Sequence, residues 1–153
     1  MKEKNKIRGK KARASGQRFE LKVRKDLESK GWICDKWSNN VSDFPEENIN
    51  LPPEKREDRK LIPAKRKYNP FNKALAIGTG FPDFICFTWG IDGCNGYADV
   101  IGVEVKSNGY LDKIEKAKCK WLIENKIFSR ILIAQKGKKR GEIVYKEFGG
   151  NLL

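Results

Sequence analysis

The chain has 153 residues, with 33 Lys and Arg against 20 Asp and Glu and a formal net charge of +13. This length suits one domain that buries a core without disulfide bonds, and the charge favours a polyanionic partner such as nucleic acid over a merely soluble, lysine-rich surface. Because the chain contains no histidine, histidine-dependent nucleases, Ser-His-Asp hydrolases and Cys-His proteases are excluded.

The four cysteines, at positions 34, 86, 94 and 119, form no Cys-x-x-Cys pair, so a zinc finger is not expected. Those at 34, 86 and 119 lie in apolar runs and are predicted to be buried thiols in a reducing compartment. No apolar run reaches the length of a membrane span, and no hydrophobic stretch follows the basic N-terminus. We therefore expect an intracellular protein without a membrane partner, in the cytoplasm or nucleoid, or in the host cytoplasm if viral.

The N-terminal region divides into two predicted parts. Residues 1–14 carry seven cationic side chains and one acidic one, which predicts a flexible basic arm. Residues 15–153 are expected to form a single domain that begins with a helix from Ser15, a capping residue, to about Lys30, with Gly31 ending it. The buried stripe of this helix is predicted from apolar residues at helical spacing: Phe19, Val23 and Leu27.

A first strand is predicted at residues 32–37, and a long basic insertion follows it. Residues 38–80 hold five prolines and show no clear periodicity. Within them, residues 59–73 carry six cationic side chains and no acidic one, the local charge density that phosphate contact requires. We expect basic and aromatic side chains of the arm and the insertion to bind nucleic acid: Lys10, Lys11, Arg13, Lys65, Arg66, Lys67 and Tyr68.

The remaining elements follow in regular order. Strands at 83–89 and 99–106 are predicted to form a hairpin, with a glycine-rich turn at 90–96. A helix over about 111–125, a buried central strand at 131–134 and an edge strand at 142–148 complete the chain. The order α-β-β-β-α-β-β predicts an α/β fold with a mixed central sheet flanked by helices.

The chemistry is expected at two short motifs, Gly80-Phe81-Pro82-Asp83 and Glu104-Val105-Lys106. Glu104 and Lys106 share a strand face, and Asp83 enters the neighbouring strand after a proline. Two carboxylates suffice for Mg²⁺, and the ammonium can position a water or help to deprotonate it. A metal beside Lys106 is expected to lower the pKa of that ammonium. The alternative is that Glu104 and Lys106 form the solvent face of an amphipathic strand.

With this strand order, the two motifs resemble the PD-(D/E)xK nuclease superfamily, whose restriction-endonuclease-like fold has an αβββαβ core. The layout over about residues 15–147 is similar to archaeal-type Holliday junction resolvases and to small virus-type replication–repair nucleases. The resemblance implies that Asp83, Glu104 and the carbonyl of Val105 hold Mg²⁺, for which Mn²⁺ can substitute. It also implies that Lys106 is the catalytic lysine.

The same resemblance implies further site residues outside the two motifs. These nucleases place a glutamate of the first helix at the metal or its water, and Glu20 is the candidate here; the alternative is a surface pair with Arg24 at i+4. Ser38, in the loop after the first strand, matches a serine that resolvases often carry. Lys118, on the helix after the motif, is the implied contact near the scissile phosphate, although a solvated helix face explains it equally.

Together these features predict a metal-dependent DNA nuclease, a structure-specific endonuclease that acts on branched or flapped DNA in recombination, repair or replication. A homodimer is compatible with this function, because symmetric cutting of two strands needs two sites. The alternative from another class is a non-catalytic nucleic-acid-binding module with the same fold. Such a module would be expected to have lost one of Asp83, Glu104 and Lys106.

Overall fold

The computed structural model describes residues 2–42, 59–64, 67–69, 74–76, 80–89 and 98–150. These residues form two helices and nine strands, in chain order: α1 (Lys2–Ser29), β1 (Ile33–Lys36), β2 (Asn39–Val41), β3 (Leu61–Pro63), β4 (Lys67–Asn69), β5 (Ala74–Ala76), β6 (Phe84–Trp89), β7 (Ala98–Val105), α2 (Lys113–Glu124), β8 (Ile131–Lys136) and β9 (Ile143–Glu147). Neither helix combines the length and the apolar character that crossing a membrane requires, among the residues described.

Five of the strands form the central sheet, in the order β1-β6-β7-β8-β9. The β7–β8 pair is parallel and the other three pairs are antiparallel, so the sheet is mixed. The predicted β6–β7 hairpin and the edge position of β9 are both confirmed. In this arrangement one end of the sheet contains the carboxyl ends of β1, β7 and β8 and the start of β6. We call it the β7 carboxyl end.

Each face of the sheet is covered by one helix. On one face, α1 packs against sheet residues in a buried cluster: Phe19, Val23, Leu27, Cys34, Phe84, Cys86, Ile101, Val103, Leu132 and Ala134. On the other face, α2 packs in a second cluster: Val41, Phe81, Leu111, Cys119, Leu122, Phe128, Ile131 and Ile133. The predicted mixed α/β sheet flanked by helices is therefore confirmed, as is the burial of the three described cysteines.

The first helix is longer than the sequence predicted. It begins at Lys2 and not at Ser15, so the predicted start of this helix is wrong. Lys, Arg and Ala are good helix formers, and residues 2–14 contain no proline, so this segment can continue the helix despite its charge. The predicted end at Gly31 is confirmed: this residue has a φ of 87°, and the Trp32 N–H donates to the Leu27 carbonyl at 3.1 Å.

The insertion contains regular structure that the sequence did not predict. Strand β2 pairs with β3 and β4 pairs with β5, both antiparallel, as two separate two-stranded sheets. Each strand has three residues, which is too short to give a periodic pattern in sequence. The basic residues Lys65 and Arg66, and the predicted turn at 90–96, lie outside the described residues.

Candidate active site

The Gly80–Asp83 segment is fixed against β1 and β2 before it enters β6. The Phe81 N–H donates to the Asn39 carbonyl at 2.9 Å, and the Trp37 N–H donates to the Asp83 carbonyl at 3.1 Å. A Cβ on Gly80 would overlap the Trp37 carbonyl oxygen and would lie 2.5 Å from the Asn39 carbonyl oxygen. Only glycine allows this close approach of two backbones, and the approach determines where Asp83 begins.

The two motif carboxylates lie side by side at the β7 carboxyl end. Phe84 pairs with Val103, so Asp83 comes opposite Glu104. The Asp83 N–H donates to Glu104 Oε2 at 3.1 Å, and the Val105 N–H donates to Asp83 Oδ2 at 2.9 Å. Each carboxylate is thus held by the backbone of the other motif. The second oxygen of Asp83, Oδ1, has no hydrogen-bond partner within the described part of the chain.

Glu104 is buried and Asp83 is half-buried, and burial disfavours the charged form of each. The Glu104 residue is only 6% exposed, which rules out the alternative of a solvent-facing strand surface. Burial, and then the neighbouring charge of Asp83, raises the pKa of Glu104 to about 8. Burial likewise raises the pKa of Asp83. Two adjacent carboxylates with raised pKa values are stabilised in their ionised forms by any cation that binds between them.

Lys106 lies next to this pair and is held from two sides. Its Nζ is 3.3 Å from Glu104 Oε1 and also donates to Glu115 on α2. Burial acts to lower the pKa of Lys106, but the hydrogen bond to Glu115 and the charge of Glu104 outweigh it, so this pKa is raised. The lowering expected beside a bound metal stays a prediction, since these causes involve protein groups alone. Two carboxylates keep the ammonium charged.

Glu115 is the site residue that the sequence reasoning missed. It belongs to a capping box at the start of α2, in which the Glu115 N–H donates to Asp112 Oδ1 at 2.8 Å and the Asp112 N–H donates to Glu115 Oε2 at 3.0 Å. One carboxylate oxygen thus caps the helix and the other binds Lys106. The Asp-x-x-Glu spacing before an amphipathic helix was the available signal.

Glu20 lies on α1, on the other face of the sheet from Lys106, and still acts on the site. Its Oε2 forms an ion pair at 2.5 Å with Lys36, at the end of β1. The predicted alternative, a pair with Arg24, is wrong, because Arg24 pairs with Glu28 at 2.8 Å. The negative charge of Glu20 contributes to the raised pKa of Asp83, so the two carboxylates lie within electrostatic range of each other.

Some of the residues predicted to contact DNA lie close to the two motifs, and others do not. Lys118 lies over the Phe81 ring, 5.6 Å from its centroid, and so borders the first motif. Ser38 is exposed and lies two residues after the end of β1, at the same end of the sheet. Four further candidates are located in the structure but away from the two motifs in sequence: Lys10, Lys11 and Arg13, exposed on α1, and Tyr68, 61% exposed on β4. For Lys67 only the backbone is described, also on β4.

Asp99 lies at the far end of β7, the strand that carries Glu104. Five residues before Glu104 on β7, it accepts hydrogen bonds from Ser129 Oγ at 2.6 Å and from Arg130 Nη2 at 2.9 Å. At about 3.3 Å per residue, this carboxylate is about 16 Å from the site along the strand. It is therefore a structural carboxylate on the same strand as a candidate functional one.

The residues of the site fit a hard divalent cation that keeps part of its water shell. Within the described residues, no three Asp, Glu or Cys side chains converge to form a complete protein cage. Mg²⁺ needs fewer ligands, since one or two carboxylates and water satisfy it. Asp83 and Glu104 supply that pair. The Val105 N–H points at Asp83. Because the carbonyl of a strand residue faces the same side as its N–H, the Val105 carbonyl also faces Asp83.

Comparisons of this chain with protein-family models, with curated proteins and with solved structures give no match.

Proposed function

We propose that this protein is a metal-dependent nuclease that hydrolyses phosphodiester bonds in DNA. The observation that carries the proposal is the convergence of Asp83, Glu104 and Lys106 at the β7 carboxyl end. A buried and a half-buried carboxylate joined by reciprocal backbone hydrogen bonds, with a lysine 3.3 Å from one of them, form an arrangement suited to a cation and a phosphate. An amphipathic strand surface gives no reason for a nearly fully buried glutamate beside an aspartate.

The fold supports the same proposal. The sequence of α1, β1, β6, β7, α2 and β8 follows the αβββαβ order, and β7 and β8 are the parallel pair that α2 connects. We infer a restriction-endonuclease-like core from this order together with the two motifs. The four short strands of the insertion are additions to that core.

Each residue of the site has a definite role in the proposed reaction. Asp83, Glu104 and the Val105 carbonyl would hold Mg²⁺ or Mn²⁺, which would supply Lewis-acid stabilisation of the charge that develops on the phosphodiester. Because Glu104 and Glu115 keep Lys106 protonated, its Nζ acts as a donor that orients the attacking water or a phosphate oxygen. Glu20 assists from the α1 side through its charge.

The substrate class follows from charge and from the proposed resemblance. A net charge of +13 supports binding to backbone phosphates without base readout. The preference for branched or flapped DNA comes from the likeness of the two motifs to resolvases. A dimer would place two such sites on opposite strands of a junction.

The proposal is tested by incubating the protein with plasmid, single-stranded, flap and four-way junction DNA, in Mg²⁺, Mn²⁺ or EDTA. Asp83→Asn, Glu104→Gln and Lys106→Met are expected to reduce metal-dependent cutting about 100-fold or more. Asp99→Asn is the matched control, because it changes a carboxylate on the same strand at the far end, and it should cut like the wild type. Tight DNA binding by the wild type with no cutting in either metal would refute the nuclease and leave the non-catalytic binding module.

A further inference from the structure

A second feature of the β7 carboxyl end is a cleft on the α1 side of the sheet. It has a volume of about 430 Å³ and lies between α1 and the turn that joins β8 to β9. Phe19 forms part of its lining, and Lys136 Nζ lies 5.6 Å from the centroid of that ring. The other cationic residues of the lining are on α1 and in the turn: Lys22, Lys138, Lys139 and Arg140.

The cations of this cleft are not neutralised by the surrounding protein. All five are exposed, and none forms an ion pair with another residue in the described ranges. The acidic residue of the lining, Glu142, is engaged with the backbone of the turn. Its Oε2 accepts the Lys139 N–H at 3.0 Å, and its carbonyl accepts the Gly137 N–H at 2.9 Å. The carboxylate therefore orders the turn that presents the cations.

The cleft adjoins the candidate active site through the backbone. The Lys106 N–H donates to the Ala134 carbonyl at 2.9 Å, and the Lys136 N–H donates to the Ser107 carbonyl at 3.3 Å. Phe19, in the lining, is the neighbour in sequence of Glu20, whose charge acts on Asp83. The cleft therefore lies at the same end of the sheet as Lys106, beside the strand next to β7.

We propose that this cleft binds the sugar–phosphate backbone of a nucleic-acid strand and holds it beside the candidate active site. The lining offers ammonium and guanidinium donors, and its one carboxylate is already bonded, so it recognises phosphates and reads no base edges. An open cleft lined by five cations from two parts of the chain fits a polymeric ligand better than a single phosphate. The choice of DNA as the strand rests on the proposed function.

The test measures binding and not cutting, so that it is independent of the nuclease. Anisotropy of labelled single-stranded, duplex and four-way junction DNA is recorded in EDTA from 50 to 300 mM NaCl. A variant with Lys138→Gln, Lys139→Gln and Arg140→Gln is expected to bind about tenfold or more weakly at 0.1 M salt, with the slope of log K against log salt reduced by about three. The loss should be the same for unrelated sequences.

The matched control removes three exposed lysines elsewhere: Lys25→Gln, Lys120→Gln and Lys126→Gln. It carries the same net charge as the cleft variant, so a non-specific charge effect would weaken both equally and would overturn the proposal. Preferential binding of the wild type to vesicles with 30% phosphatidylserine, with no measurable binding to DNA, would also overturn it. Wild-type DNA binding that depends on the cleft without any cutting would refute the proposed nuclease and leave the cleft standing.

Discussion

Gly80→Ala is the substitution that most directly tests how the backbone positions Asp83. The new Cβ would lie 2.5 Å from the Asn39 carbonyl oxygen and 2.9 Å from its nitrogen, and it would overlap the Trp37 carbonyl oxygen. These neighbours are all backbone atoms, which cannot move aside as a flexible side chain can. The segment from Gly80 to Asp83 must therefore move away from β1 and β2.

This movement breaks the two hydrogen bonds that join the segment to its neighbours, Phe81 N–H to Asn39 at 2.9 Å and Trp37 N–H to Asp83 at 3.1 Å. At about 0.5–1.5 kcal/mol each, their loss lowers the free energy of unfolding by about 1–3 kcal/mol. For a chain of this size that corresponds to a fall in Tm of roughly 3–9 °C. Cutting should fall further, about 100-fold, because a catalytic group displaced by about 1 Å loses its geometry.

Differential scanning calorimetry and the junction-cutting assay measure the two effects on one preparation. Gly16→Ala is the matched control, since it makes the same change in the interior of α1, where a Cβ has no atom within 4 Å. Alanine there is expected to raise stability by about 0.5–1 kcal/mol and to leave cutting unchanged. A Gly80→Ala variant with the Tm and the cutting rate of the wild type would show that the close approach does not position Asp83.

Two further predictions concern side-chain contacts. Tyr145→Phe removes the hydrogen bond to Asp26 at 2.7 Å and should cost about 1 kcal/mol at neutral pH in urea unfolding. Burial opposes ionisation of Asp26, but hydrogen bonds from Lys30 and Tyr145 outweigh it and lower the pKa of Asp26. The loss of stability in the variant should therefore vanish as the pH falls below 3.8. A loss of stability that does not change with pH would contradict this reasoning. Glu115→Gln keeps the helix cap but loosens Lys106, so cutting should fall about tenfold at nearly unchanged Tm. The control is Glu124→Gln, in the last turn of α2. If both variants cut like the wild type, Glu115 has no positioning role.

The sequence predicted best where one regular element determines the side-chain direction. The stripe Phe19, Val23 and Leu27 is buried as its helical spacing indicates. Asp83 and Glu104 meet because hairpin pairing couples two strands that are close in sequence, so one correct register places both carboxylates. The proximity of the two motif carboxylates could therefore be predicted before any long-range contact was known.

Contacts between separate elements could not be predicted in this way. Glu115 reaches Lys106 only because α2 returns over the sheet, and Lys36 meets Glu20 only because α1 crosses the end of β1. In sequence, each of these residues has nearer partners of opposite charge. Helix length was missed for a different reason: the charge of residues 1–14 suggested an exposed arm, whereas Lys, Arg and Ala have high intrinsic helix propensity.

The charges at the β7 carboxyl end explain why a DNA-cutting site here would need both a cation and the neighbouring cleft. Two ammonium groups at this end lie among four carboxylates: Lys106 and Lys36 among Asp83, Glu104, Glu115 and Glu20. When all six groups are ionised, two negative charges remain. A phosphate approaching this group alone is repelled. A divalent cation would remove that excess, and the five cations of the cleft, which form no ion pair within the described residues, would supply the attraction. DNA affinity is thus expected to reside mainly in the cleft, and cutting in the carboxylates.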